Sequence, residues 1–195
     1  MCAMELSVIV PCLNEEANLP ELVRRIGEVL AMGGIAGELV LINDGSTDGT
    51  ARVMDELAAK HPFVRPQHHP SNRGIAAAWK TGVGAARGHL VCLIDADLQY
   101  QPEDILRLRR ELSWANVDII QGFRSAVGRE KGPRYYYSRG LNFLLNNAFS
   151  MRLQDNKSGF VMCGREVLAD LLEYRGEYYY WQSFIMVTAH HRCKT

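Results

Sequence analysis

The chain lacks any stretch approaching the roughly 18 uncharged apolar residues a membrane-spanning helix needs, so no bilayer crossing is expected. It has no basic leader either. Glu5 stands ahead of the first apolar run in MCAMELSVIV, which argues against a secretory signal. The five cysteines (Cys2, Cys12, Cys92, Cys163, Cys193) are odd in number, widely spaced and without a C-x-x-C pair. They support neither a disulfide framework nor a structural zinc site and read as reduced cytosolic thiols. Also missing are G-x-x-x-x-G-K, H-E-x-x-H and G-x-S-x-G, and with them the phosphate loop, the zinc protease helix and the nucleophile elbow. What remains is 195 residues, 47% of them hydrophobic, enough for one domain with a real core.

Net charge is absent too, with Lys+Arg 22 against Asp+Glu 22, but the balance conceals two lobes. Residues 1–60 carry four basic and ten acidic groups, whereas residues 121–165 carry eight basic and two acidic. The later lobe holds Arg124, Arg129, Lys131, Arg134 and Arg139 around Tyr135, Tyr136 and Tyr137. Such a segment could meet phosphate or an anionic membrane surface, although composition alone favours a solvated face. Nucleic acid is a poor partner, given the acidic lobe and the lack of an RNA-binding motif.

Short β-rich runs alternate with helical patterns. Strands are expected over 6–10, 37–43, 63–68, 89–95 and 117–123. Between them fall helices over 18–30 (Asn18 as N-cap, Pro20 in the first turn, Glu21 three residues on), 51–60, 72–88 and 102–112. Residues 124–140 read as a loop. RGLNFLLNNAF and REVLADLLEY read as helices with DNKSGFVMC between them, and the closing YYYWQSFIMVTAHHRCKT as one further helix. The alternation predicts an α/β fold, a mostly parallel sheet flanked by helices. Ligands of such sheets sit beyond the carboxyl ends of the strands. The residues standing there are Asn14 and Glu15, Asp44, Asp95-Ala96-Asp97, and Arg124.

In an extended segment Asp95 and Asp97 face the same side. Two carboxylates placed so repel unless a cation joins them, and oxygen ligands suit Mg²⁺ or Mn²⁺ shared with phosphate. Gln99 continues that face. A lone D-x-D is nonetheless most often a surface pair. Asp44 can accept the imide N–H of uracil or the N1–H and amino group of guanine; equally, it can cap the helix after DGSTDG. Two decoys fall away. The EF-hand-like run Asp44-x-Ser46-x-Asp48-Gly49 follows a strand rather than a helix, and GVGAARG ends a helix where a dinucleotide fingerprint would open one. The six histidines, as His61, His68-His69, His89 and His190-His191, read as surface residues and receive no role.

Taken in order, SVIVPCLNEEANL, ELVLINDGSTDGT, NRGIAAAWKTGVGAARG, LVCLIDADLQYQPEDI, GFR with the following SRG, and DNKSGF resemble the family 2 glycosyltransferases, and among them the dolichol-phosphate mannosyltransferase group. The resemblance covers roughly residues 5 to 170. It implies a GT-A fold with a Rossmann-like nucleotide-binding core, and a single catalytic domain over 1–195 that stops short of the family's C-terminal basic segment. It implies that Pro11, Leu13, Glu15, Ile42 and Asp44 line the nucleoside pocket, with Ile94 and Ala96 beside the donor. Asp95 and Asp97 would be the metal motif, Gln99 a further ligand, and Asp97, Arg124 and Arg139 the catalytic set, the arginines holding the donor diphosphate and the acceptor phosphate.

The implied activity is inverting transfer from a UDP- or GDP-sugar to a polyisoprenyl phosphate, at the cytoplasmic face of a membrane, with Mg²⁺ or Mn²⁺. Departures from the family pattern are Lys157 in place of Thr, Val161 in place of a basic residue, no Q-x-x-R-W, and Gln182 where many inverting relatives have a carboxylate base. The last departure favours a phosphate acceptor. A sugar hydroxyl must lose a proton as it attacks, whereas a phosphate monoester, with a second pKa of about 6, is already ionised. A saccharide-hydroxyl acceptor in cell-envelope polysaccharide synthesis is the alternative. A sugar-nucleotide pyrophosphorylase would need a Gly-rich loop where PCLNEE stands, and a phospho-receiver module fits neither the length nor the D-x-D.

Overall fold

The computed structural model describes residues 3–122 and 158–168, with the isolated positions 140, 143, 144 and 147. In chain order the elements are β1 (Leu6–Cys12), α1 (Leu19–Met32), β2 (Gly37–Asp44), α2 (Thr50–Lys60), β3 (Val64–His69), α3 (Ile75–Ala85), β4 (Leu90–Leu93), α4 (Asp104–Ala115), β5 (Ile119–Gln121) and β6 (Val161–Gly164). A short 3-10 turn, Arg165–Leu168, follows.

One six-stranded sheet has the order β3-β2-β1-β4-β6-β5. Its first four strands run parallel, and β6 lies antiparallel between β4 and β5. The central strand β1 is apolar on both faces because both are covered, as parallel strands require. Leu6, Val8 and Val10 join Leu39 and Leu41 in a core shared with α1 and α4. Ile9 joins Val40 and Ile42 on the opposite face, beneath α3. α1 supplies Leu19, Leu22, Val23, Ile26, Val29 and Leu30 as one buried stripe at helical spacing. α3 is built from small residues because it lies close to the sheet: a Cβ on Gly82 would stand 2.2 Å from Ile9 Cγ2.

Each strand and helix expected through residue 122 is present, within a few residues at its ends. Three expectations need correction. The stretch after Phe160 is not a connection between helices: Val161–Gly164 is an interior strand, and all but its last residue is buried. REVL opens as a 3-10 turn instead of an α-helix, and the rest of that segment lies outside the described residues, as do the expected final helix and all but the last residue of the expected 124–140 loop. Asn18 stands at the N-cap without capping; its Nδ2 donates to Glu15 Oε2 at 2.7 Å. Pro20 has already removed one of the N–H groups such a cap would serve.

Cys12, Cys92 and Cys163 are buried free thiols, and burial pushes the thiols of Cys12 and Cys92 far up, so they pack as small apolar side chains. Among the described residues no helix is long and apolar enough to cross a membrane.

Candidate functional site

A cavity of about 270 Å³ opens at the carboxyl ends of β1, β2 and β4. Pro11, Cys12, Leu13 and Glu15 line it after β1, Asp44 at the end of β2, Asn72, Gly74, Ile75 and Ala78 around the start of α3, and Asp95, Ala96 and Asp97 after β4.

The loops after β1 and β2 are laced together. Asn14, at φ 58°, accepts the Thr47 N–H on Oδ1 at 2.8 Å, and its own N–H donates to Ser46 Oγ at 3.0 Å. The Glu15 N–H donates to Thr50 Oγ1 at 2.8 Å, and Glu16 Oε2 accepts the Gly49 N–H at 2.7 Å. The polar residues of NEE and DGSTDG therefore satisfy one another's backbone, which fixes one wall of the cavity before any ligand arrives. At Gly45 (φ 69°) a side chain is doubly barred: the backbone is left-handed, and a Cβ would meet Asn72 N at 2.3 Å.

Asp44 is buried, its side chain 5% exposed. Its Oδ1 accepts the Arg73 N–H at 2.9 Å and its Oδ2 the Gly74 N–H at 2.8 Å, so it holds the backbone that leads into α3 instead of capping α2 as the sequence suggested. The α2 side is served instead by Asp48, whose Oδ1 accepts the Thr50 N–H at 3.0 Å. A third donor reaches Asp44 from the neighbouring strand. His69 is its register partner in β3, and His69 Nδ1 lies 2.7 Å from Oδ1. The surface reading of the histidines is thus wrong for His69, which is 4% exposed and bonded at both ring nitrogens. The usable signal was the alternation itself: of two adjacent residues at a strand end, one faces each side. His68 takes the other side, between Asn43 and Asp55.

β4 stops at Leu93, and the chain turns through Ala96 and Asp97. The two aspartates therefore do not share a face by strand alternation as expected; the turn, with Leu98 at φ 57° and the Gln99 N–H donating to Asp97 Oδ1 at 3.1 Å, delivers both to the cavity. Asp95 is half-buried and Asp97 exposed. Gly159 backs Asp95 so closely that a Cβ there would stand 2.7 Å from Oδ2. Next to it, buried Ser158 takes the Tyr100 hydroxyl at 2.9 Å and its own hydroxyl donates to the Gly122 carbonyl, tying the turn to the lead-in of β6. This accounts physically for S-G-F before that strand.

The cavity thus gathers Pro11, Leu13, Glu15, Asp44, Asp95, Ala96 and Asp97 from the sequence-based set. Ile42 lies fully buried one step behind Asp44 on the same face of β2, Ile94 is fully buried in the opposite core, and Gln99 is exposed beside the turn, outside the lining. Arg124 and Arg139 lie outside the described residues. Among the described residues no three His, Cys, Asp or Glu side chains gather as a closed metal cage. A pair of carboxylates at a cavity rim is nevertheless a donor set that suits a hard divalent ion completing its shell with water and phosphate oxygens.

The pattern has counterparts among known proteins. Residues 7–172 match the family model described as Glycosyl transferase family 2, and the chain belongs to that family. It is 32% identical over 156 residues to the dodecaprenyl-phosphate galacturonate synthase of Rhizobium johnstonii, covering 78% of this chain and 46% of that one. It is 35% identical over 150 residues to the undecaprenyl-phosphate 4-deoxy-4-formamido-L-arabinose transferase of Pseudomonas aeruginosa, covering 76% of this chain and 44% of that one. The chain spans about half the length of these curated relatives. Among solved structures, a mannosyltransferase from Pyrobaculum calidifontis in complex with GDP-Man and Mn²⁺ superimposes with a TM-score of 0.66 at 23% identity, covering 95% of this chain and 51% of that one. That likeness is one of fold, and it bears out the GT-A-like α/β expectation.

Proposed function

We propose that this chain carries the catalytic domain of an inverting glycosyltransferase that moves a sugar from a UDP- or GDP-sugar to a polyisoprenyl phosphate at the cytoplasmic surface of a membrane. The observation that carries the reading is that one cavity is lined both by the buried carboxylate Asp44 and by the acidic pair Asp95 and Asp97. The relatives, whose names join a sugar to dodecaprenyl phosphate or undecaprenyl phosphate, support the acceptor class.

In this reading Pro11, Leu13 and Glu15 flank the nucleoside while Asp44 accepts an N–H of its base. Asp95 and Asp97, with Gln99 nearby, hold Mg²⁺ or Mn²⁺, which when bound supplies positive charge against the donor diphosphate. Arg124 and Arg139 are assigned from the family resemblance to the diphosphate and the acceptor phosphate. An acceptor phosphate oxygen attacks the anomeric carbon, the bond to the nucleoside diphosphate breaks, and that diphosphate leaves with the electron pair. No proton has to move, because the attacking phosphate arrives ionised. The site's work is then placement and charge stabilisation, two large contributions to rate.

The test is a thermal-shift series with nucleoside diphosphates, with and without Mn²⁺, followed by transfer of labelled sugar to polyprenyl phosphate in detergent. Metal-dependent stabilisation by UDP or GDP supports the donor site. A flat series at millimolar nucleotide would overturn it.

A further inference from the structure

Resting on that donor site, the bonds around Asp44 carry a finer conclusion. A carboxylate offers about four lone-pair directions, two on each oxygen. On Asp44, Oδ1 receives the His69 ring at 2.7 Å and the Arg73 N–H at 2.9 Å, which fills it. Oδ2 receives the Gly74 N–H at 2.8 Å and, among the described residues, nothing more. One acceptor direction therefore remains on a side chain that lines the cavity.

The imidazole is held at both ends. A carboxylate oxygen accepts, so Nδ1 carries the hydrogen toward Asp44, and Nε2 lies 2.8 Å from Thr81 Oγ1. Thr81 belongs to α3, so one ring bridges the end of β2 to that helix. With its side chain 4% exposed, His69 has no room to swing aside.

We infer that His69 is a specificity-determining positioning residue: by filling Oδ1 it leaves Asp44 a single acceptor, which fits the one imide N–H of uracil or thymine and not the paired N1–H and amino donors of guanine. Guanine laid against this carboxylate leaves one donor unsatisfied in a confined pocket, and such a loss costs about tenfold or more in affinity. Cytosine and adenine offer no imide hydrogen at all.

Titration calorimetry with UDP, dTDP, GDP and CDP in Mn²⁺ tests this on the wild-type protein and on two variants, each checked for folding by its melting curve. The wild type should bind UDP and dTDP at least about tenfold more tightly than GDP or CDP. His69→Ala reopens Oδ1, so the UDP-to-GDP preference should shrink at least about threefold. His69→Asn, whose amide nitrogen can stand near the place of Nδ1, should restore it. GDP binding as well as UDP to the wild type overturns the inference while leaving the donor site intact. A His69→Ala protein that weakens both nucleotides equally reduces His69 to a structural role and overturns it as well. Should His69→Ala not fold, the wild-type series and His69→Asn decide alone. Absence of binding by every nucleoside diphosphate overturns the donor-site reading itself.

Discussion

Strand β2 carries two buried carboxylates on one face, Glu38 near its start and Asp44 at its end, and their surroundings differ. Glu38 Oε1 takes the Ser7 hydroxyl and the Arg87 N–H, both at 2.7 Å, and Oε2 takes Arg65 Nη1 at 2.8 Å. A guanidinium neutralises it, and backbone from the end of α3 closes over it. Burial alone would raise its pKa, but the bonds from Ser7, Arg65 and Arg87 outweigh that and hold it below the usual carboxylate range. Asp44 is as well buried, yet among the described residues no Lys or Arg side chain pairs with it, and it borders a cavity. A carboxylate locked by an arginine is architecture. A carboxylate at a cavity wall, steadied by backbone N–H groups and one imidazole and with one acceptor direction unused among the described residues, is equipped to take a ligand.

Substitutions at the two ends of the strand should have different consequences. The largest effect is expected at the open end, where Asp97→Asn should reduce sugar transfer by about two to three orders of magnitude, the scale for losing transition-state charge stabilisation. Because Asp97 is exposed, its melting temperature should match the wild type; an active Asp97→Asn enzyme would remove the acidic pair from the mechanism. At the closed end, Glu38→Ala leaves Arg65 without its partner and should cost about 3 kcal/mol in urea unfolding, while the folded fraction still binds nucleotide. Asp44→Ala also strands buried donors, but it should in addition weaken nucleotide binding to the folded protein by about tenfold, a loss that Glu38→Ala should not show. If the two variants behave alike, the distinction between the carboxylates fails.

The smallest effect is one of pH. A carboxyl held below its ordinary 4.5 contributes stability that is present above that value and fades as pH falls through the lower folded value. The stability gap between wild type and Glu38→Gln should therefore be wider at pH 7 than at pH 3, measured by urea midpoints. A gap independent of pH would mean that Glu38 contributes through packing alone.

The strands and helices up to residue 122 were legible because apolar periodicity and glycine boundaries operate locally. β6 was not, since a four-residue run such as VMCG gains its strand identity from β4 and β5 on either side, a tertiary effect. Asp44, Asp95 and Asp97 were legible from their place after strands. His69 was missed because two adjacent histidines carry no role until β3 is set beside β2 and Asp44 becomes its register partner. Gly159 had no visible purpose until Asp95 stood against it.

The proposed transfer requires a nucleotide lying across the cavity from Asp44 to the acidic pair. A crystal of the protein grown with UDP and Mn²⁺ tests this most directly. The expected density places the base N–H on Asp44 Oδ2 and the diphosphate with its ion between Asp95 and Asp97. Nucleotide density elsewhere on the molecule, with this cavity holding only water, would contradict the account.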